Sequence, residues 1–235
     1  MSFSGQQITA ELARLGAELA AASARGGHGA CPRLIAVSKR HPSSAIKLAR
    51  DAGQIDFGEN FAKELAAKAD DFSDDDEIVW HFIGRLQRNK VKWVVGTATL
   101  IHAVDSHRLL KEIDRWANRQ GRIQAILLAV NVSGESSKSG IRPDQIEGML
   151  NECDQLGALR CHGLMTMPPW PETAEDNRAY FRELRNIRDK YATTENPLTE
   201  LSMGTSGDCV VAAEEGATLI RVGTRIFGPR TPSQP

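Results

Sequence analysis

The chain has 235 residues, 41% hydrophobic and 25% charged, so it can bury a sizeable core and is too apolar for wholesale disorder. Its 29 Lys and Arg against 30 Asp and Glu leave a net charge of −1, which excludes a generally basic nucleic-acid surface, and at 6% the aromatic residues are too few for base-stacking platforms. The length suits one large α/β barrel of roughly 250 residues, or two small domains.

In chain order, Ser4 and Gln7 have the spacing of a capping box, and Ile8, Leu12, Leu15 and Leu19 follow on one helical stripe. Gly26, Gly27 and Gly29 stop that helix. The pattern then alternates. Strands are predicted at 33–39, 54–60, 79–84, 100–106, 123–132, 159–167, 200–205 and 218–227. Helices are predicted at 42–52, 61–72, 89–95, 107–120, 144–156, 172–191 and 207–215. Strands alternating with helices imply parallel βαβ units. Eight such units predict a closed (β/α)8 TIM barrel, with an open doubly wound sheet as the alternative. The tail from 228 is too short and Pro-rich for an eighth outer helix, so the helix ahead of the first strand is expected to cover the seam between the first and last strands. With no internal linker, 1–235 is read as a single domain.

Cys31, Cys153, Cys161 and Cys209 form no C-x-x-C pair, which argues against a zinc ribbon or a thioredoxin motif; reduced thiols in a cytoplasmic chain are expected. The longest apolar run, about 126–130, is too short to span a bilayer, and the first residues lack the blocks of a signal peptide. Neither a membrane nor a nucleic acid is an expected partner. Glycine-rich nucleotide motifs are absent.

Barrel sites lie at the carboxyl ends of the strands. The first strand, Leu34-Ile35-Ala36-Val37-Ser38, delivers Lys39. A lysine there is either an ordinary surface group or, in a low-dielectric mouth, an amine with lowered pKa able to condense with a carbonyl. The last two strands end in Ser202-Met203-Gly204-Thr205-Ser206 and Arg221-Val222-Gly223-Thr224. Glycine, serine and threonine are common in turns, but barrels also bind phosphate with the loops after strands seven and eight. Ser206 is further placed to cap a helix starting near Gly207. Together these features point to a phosphorylated carbonyl ligand: pyridoxal phosphate, or an aldolase substrate with Asp105 or Glu59 as proton relay.

Seven ordered blocks narrow the choice. They are Ile35-Ala36-Val37-Ser38-Lys39, Phe57-Gly58-Glu59-Asn60, the stretch from Trp80-His81-Phe82-Ile83-Gly84 through Asn89-Lys90, Ser136-Ser137-Lys138-Ser139-Gly140, His162-Gly163-Leu164-Met165, Leu201-Ser202-Met203-Gly204, and the stretch from Arg221 to Gly228. Over about residues 8–230 the chain resembles the pyridoxal phosphate homeostasis protein family, itself similar to the N-terminal barrel domain of alanine racemase. The resemblance implies a fold-type III barrel that holds pyridoxal 5′-phosphate as a Schiff base and acts in intracellular vitamin B6 homeostasis with no or negligible turnover. A pyridoxal phosphate-dependent amino-acid racemase is the alternative.

Carried over by motif, Lys39 is the Schiff-base lysine, and Arg221 faces the pyridine nitrogen. Ser202, Met203, Gly204, Ser206, Gly223 and Thr224 form the phosphate cradle, and Asn60 and His81 line the pocket. A core role for His81 is the plainer reading of that residue. The family usually has methionine where Thr205 stands and threonine where Arg40 stands, which puts pocket shape and charge in question. Other expected partners are apo forms of pyridoxal phosphate enzymes, with the chain a monomer or weak homodimer. The loop 133–140 is read as a lid whose Lys138 is either solvated or a transient acceptor of the cofactor.

Overall fold

The computed structural model describes residues 3–29, 31–135 and 139–229; Ser136, Ser137 and Lys138 of the expected lid lie outside the described residues. Eight parallel strands close into a barrel in sequence order: β1 (Arg33–Val37), β2 (Asp56–Glu59), β3 (Val79–Phe82), β4 (Leu100–Val104), β5 (Gln124–Ala129), β6 (Leu159–Met165), β7 (Glu200–Ser202) and β8 (Leu219–Val222). β8 closes on β1, with Arg33 opposite Leu219 and Ala36 opposite Val222. This is the (β/α)8 barrel expected from the sequence.

The helices are α1 (Gly5–Gly26), α2 (Ser43–Asp51), α3 (Ala62–Asp71), α4 (His107–Arg119), α5 (Ile146–Gln155), α6 (Arg178–Tyr191), α7 (Cys209–Glu214) and α8 (Thr224–Phe227). α1 starts at the expected capping box: Gln7 N–H donates to Ser4 Oγ at 3.3 Å, and Ser4 N–H to Gln7 Oε1 at 2.8 Å. It ends where Gly27 turns left-handed at φ 68°. Its stripe of Ile8, Leu15 and Leu19 is buried against α2, α7 and α8, which flank the β1–β8 seam. Arg225 of α8 fastens the cover by pairing with Glu11 and Glu18 of α1 at 2.8 and 2.9 Å.

Three expectations need correction. The connection after β3 is a 3-10 turn, Arg88–Trp93, rather than an α-helix. The predicted helix 172–191 divides into a 3-10 turn, Ala174–Asn177, and α6; the prolines ahead of it leave 168–171 outside any regular element. The strand predicted over 218–227 ends at Val222. Gly223 breaks it and α8 follows, so a one-turn helix begins where the strand was expected to continue.

Side chains alternate across each strand. One set, including Trp80, Phe82, Ile101, Ile126, Leu128, Ile220 and Val222, packs outward against the helices. The inward set is smaller: Ile35, Leu100, Ala103, Leu127, Ala129, Met165 and Leu219 cluster inside the barrel. His81, His102, Ser202 and Arg221 are buried polar residues of β3, β4, β7 and β8. They stand where barrels ordinarily carry branched apolar residues. Among the described residues, no helix is long and apolar enough to cross a membrane.

Candidate functional site

β1 hands the chain to Lys39 through Ser38, and both neighbours of the lysine are fixed. Buried Ser38 donates its hydroxyl to Glu59 Oε1 at 2.7 Å, and its carbonyl accepts from Lys68 Nζ at 2.8 Å. Lys68 also contacts Glu59 at 2.6 Å and Glu64 at 2.8 Å, a buried charge cluster under the β1–β2 rim. Burial pushes the Glu59 carboxyl above its ordinary range, against the opposing pull of Lys68. On the other side, Arg40 adopts φ 61°, a left-handed conformation uncommon for any residue but glycine. Its N–H donates to Glu64 Oε1 at 2.6 Å, and its guanidinium lies 5.4 Å over the Phe61 ring. The residue that departs from the family pattern therefore points its charge away along the rim.

Lys39 opens into a cavity of about 270 Å³ at the carboxyl ends of the strands, close to the smallest ligand pockets. Asn60, Ser206, Arg221, Gly223 and Thr224 line the same cavity. Six of the ten sequence-predicted residues thus share one space. Gly223 N–H donates to Ser206 Oγ at 3.4 Å, and Thr224 Oγ1 lies 3.2 Å from the same hydroxyl. A Cβ on Gly223 would come 3.1 Å from the carbonyl oxygen of Val37, so the backbone approach of β8 to β1 wants glycine there. Ser206 does not cap α7; that helix begins at Cys209, and Asp208 accepts from Thr205 N–H and Thr205 Oγ1 at 2.6 and 3.0 Å.

Ser202, Met203, Gly204 and His81 do not line the cavity. Ser202 and Met203 are fully buried beneath it, and Gly204, at φ 87°, makes the turn that lifts Ser206 to the rim. A Cβ on Gly204 would lie 2.5 Å from that of Ala212. His81 lies in the barrel interior, where it contacts Asp56 and His102; the core reading of this residue is the one that fits. Glu59 and Asp105, the carboxylates an aldolase relay would need, also lie off this cavity. Asp105 faces a wider cleft of about 790 Å³ with Lys63, Arg85, Arg88, Lys90 and Arg108.

Residues the sequence analysis overlooked complete the walls. Met167, Pro168, Pro169, Trp170 and Pro171, directly after β6, form one side of the mouth, and Asn177 and Asp208 another. The signal was present: three prolines around a tryptophan at a strand's carboxyl end make a stiff rim. Trp170 is 89% exposed.

Arg221 is buried, and among the described residues it forms no ion pair. Burial pushes its guanidinium down to about 10, with only Asp208 nearby to raise it. It donates to Ser202 Oγ, to the Thr166 carbonyl at 2.9 Å, and to Met167 Sδ at 3.1 Å. Behind Ser202 stands His102. Burial first, then His81 and Arg221, holds this ring well below the ordinary histidine value of 6.5. The unfolded chain binds a proton at His102 as pH falls below that value, while the folded chain does not. The stabilisation is therefore full above 6.5 and is lost with acid, by up to about 1.4 kcal/mol per pH unit. Urea unfolding from pH 7 to 5 is expected to show this decline, and His102→Phe a flatter one.

The chain that carries this geometry, a lysine and two hydroxyl-bearing loops around one small cavity with a buried arginine on its floor, is similar to known proteins over nearly its whole length. A family model described as alanine racemase, N-terminal domain, matches residues 11–231. The pyridoxal phosphate homeostasis protein of Aquifex aeolicus is 41% identical over 221 residues, 93% of this chain and 96% of that protein. The chain belongs to the pyridoxal phosphate homeostasis protein family. The family member from Pseudomonas aeruginosa is 36% identical, covering 95% of this chain and 96% of its own. PipY of Synechococcus elongatus PCC7942, solved with PLP bound, superposes with a TM-score of 0.82 at 37% identity, covering 94% of this chain and all of that one. Alanine racemase from Bartonella henselae shares the fold alone, at 12% identity and a TM-score of 0.74 over 97% of this chain and 60% of its own.

Proposed function

We propose that the cavity holds pyridoxal 5′-phosphate covalently through Lys39, and that the protein stores and delivers this cofactor rather than turning over a substrate. The observation that carries the reading is the convergence of Lys39, Arg221 and the Ser206–Thr224 hydroxyl pair on one cavity. Its donor set fits the group. Thr224 Oγ1, Ser206 Oγ and the Gly223 N–H are donors suited to a phosphate. The buried Asn60 Oδ1, which has no hydrogen-bond partner among the described residues, suits a ligand donor. The relative solved with PLP bound supports the same assignment.

When bound, the cofactor supplies an aldehyde that condenses with an amine, and an electron-withdrawing ring. The chain's part is binding and orientation. Lys39 Nζ provides the amine, with Ser38 and Arg40 fixing its backbone. Ser206 and Thr224 take the phosphate, and Arg221 presents a permanently charged donor toward the ring nitrogen. The Pro-Trp rim narrows access from solvent. Recipients of the cofactor are apo-enzymes that use it, with the barrel acting as a cytoplasmic monomer or weak homodimer.

Equilibrium binding of pyridoxal phosphate and of pyridoxal tests this reading. The phosphorylated form is expected to bind far more tightly, and equal affinity would refute it. Ser206→Ala and Thr224→Ala each remove a hydrogen bond to a charged group, worth about 1.5–3 kcal/mol, or roughly a tenfold loss or more. The double variant is expected to lose more than either single one, while its affinity for unphosphorylated pyridoxal stays unchanged.

A further inference from the structure

The buried polar residues inside the barrel are connected. Asp56 Oδ1 lies 2.8 Å from His81 Nε2, His81 Nδ1 lies 3.0 Å from His102 Nε2, and His102 Nδ1 lies 2.8 Å from Ser202 Oγ. Ser202 Oγ in turn accepts from Arg221 Nη1. The line runs from the start of β2, through β3, β4 and β7, to β8 beneath the cavity. Every imidazole nitrogen in it is used.

The donors can be assigned. A carboxylate only accepts, and Arg33 Nη1 also lies 3.7 Å from Asp56 Oδ1, so Asp56 accepts and His81 donates from Nε2. A His81 with a single proton then has Nδ1 as acceptor, and His102 must donate to it from Nε2. His102 Nδ1 is left as acceptor and takes the Ser202 hydroxyl proton. Ser202 Oγ keeps its lone pairs for Arg221. All hydrogens point one way, from the guanidinium to the carboxylate. The reverse order, with His102 donating to Ser202, requires an imidazolium at His81 in the same dry interior as Arg221.

We propose that Asp56, His81, His102 and Ser202 are positioning residues that form a one-directional hydrogen-bond relay, holding Arg221 in place and setting the charge it presents to a ligand in the cavity. A carboxylate placed directly on Arg221 would hold it too, but would neutralise it and put a second charge at the ligand. The relay satisfies the arginine with a neutral hydroxyl and leaves the carboxylate at the opposite end of the barrel. Packing alone gives no reason for this order, since apolar side chains fill such an interior without the desolvation cost of five polar groups.

The part concerning the ligand rests on the function proposed above; the order of the protons does not, and the test separates the two. In ligand-free protein labelled with ¹⁵N-histidine, long-range proton–nitrogen correlation at pH 7 is expected to show His81 and His102 each protonated on Nε2 alone. A proton on His102 Nδ1, or a doubly protonated His81, would overturn the relay whether or not the cofactor binds. In protein loaded with pyridoxal phosphate, Ser202→Ala removes the acceptor and leaves the Arg221 charge less screened. The pH midpoint of the visible absorbance band is then expected to fall by about one unit, a tenfold change in proton affinity. Ser202→Thr, which restores the hydroxyl, is expected to restore the midpoint. A merely structural role would lower the melting temperature of Ser202→Ala and leave its midpoint in place, which would refute the charge-setting part.

Discussion

Lys39→Ala is expected to abolish the adduct that borohydride fixes between the protein and pyridoxal phosphate, while the fold persists. The side chain is half-buried at the end of β1, and its removal leaves the Ser38–Glu59–Lys68 cluster and the Arg40–Glu64 bond untouched. The melting temperature should therefore change little. Some non-covalent affinity should survive, because Ser206, Gly223 and Thr224 still offer their donors to the phosphate. Lys68, buried and bound to two carboxylates, is poorly placed to replace Lys39. Peptide mass spectrometry of the reduced wild-type protein should find the modification on Lys39. A modification mainly on another lysine would remove Lys39 from the assignment.

How far the sequence could be read depended on whether a property was local. The alternation of elements is local, and it yields the barrel, the capping box at Ser4 and the covering role of α1. Lys39 is legible because an apolar strand runs straight into it. Ser206, Gly223 and Thr224 are legible because turn residues at the last two strand ends are where barrels hold phosphate. The boundary of β8 was missed because Arg221 to Phe227 is rich in β-branched and apolar residues, and only the single Gly223 marks the break.

The interior line was not legible for a different reason. Asp56, His81, His102 and Ser202 lie on four strands, and which of them meet depends on barrel register, set by pairings such as Gly58 with His81 and Met165 with Ser202. His81 belongs to a recognisable block, which suggested a place at the rim. The short β3 and the inward side of its pleat put it in the core instead. His102, with no block to mark it, carried only one signal: a histidine inside Leu-Ile-His-Ala-Val, on the alternate positions that turn inward. The rim from Met167 to Pro171 does carry a local signal, in its three prolines.

The second large effect concerns catalysis: the loaded protein is expected to racemise alanine or serine negligibly. Two-base inversion needs a proton donor on each face of the substrate, and Lys39 can serve only one. Among the described residues no tyrosine lines the cavity; Tyr180 and Tyr191 both lie on α6, outside the barrel. His81 and His102 lie below the floor and are engaged with one another. Asp208 does line the cavity, but its carboxylate oxygens are already engaged, accepting from Thr205 N–H, Thr205 Oγ1 and Asn177 Nδ2 at 2.6, 3.0 and 2.7 Å. A positioned general acid–base group contributes about 10²–10⁴-fold, so the lack of one leaves at best slow exchange through Lys39. On the proposed reading Arg221 would compound the loss, because a guanidinium set against the ring nitrogen would not hand it a proton and the ring would draw electrons less strongly. Incubating loaded protein with L-alanine in deuterated water, and following both α-deuterium and the D-isomer, measures the two faces separately. Slow uptake with retention is the expected pattern. Rapid, symmetric inversion would show that a second base reaches the cavity; Asp208→Asn would then tell whether Asp208 is that base.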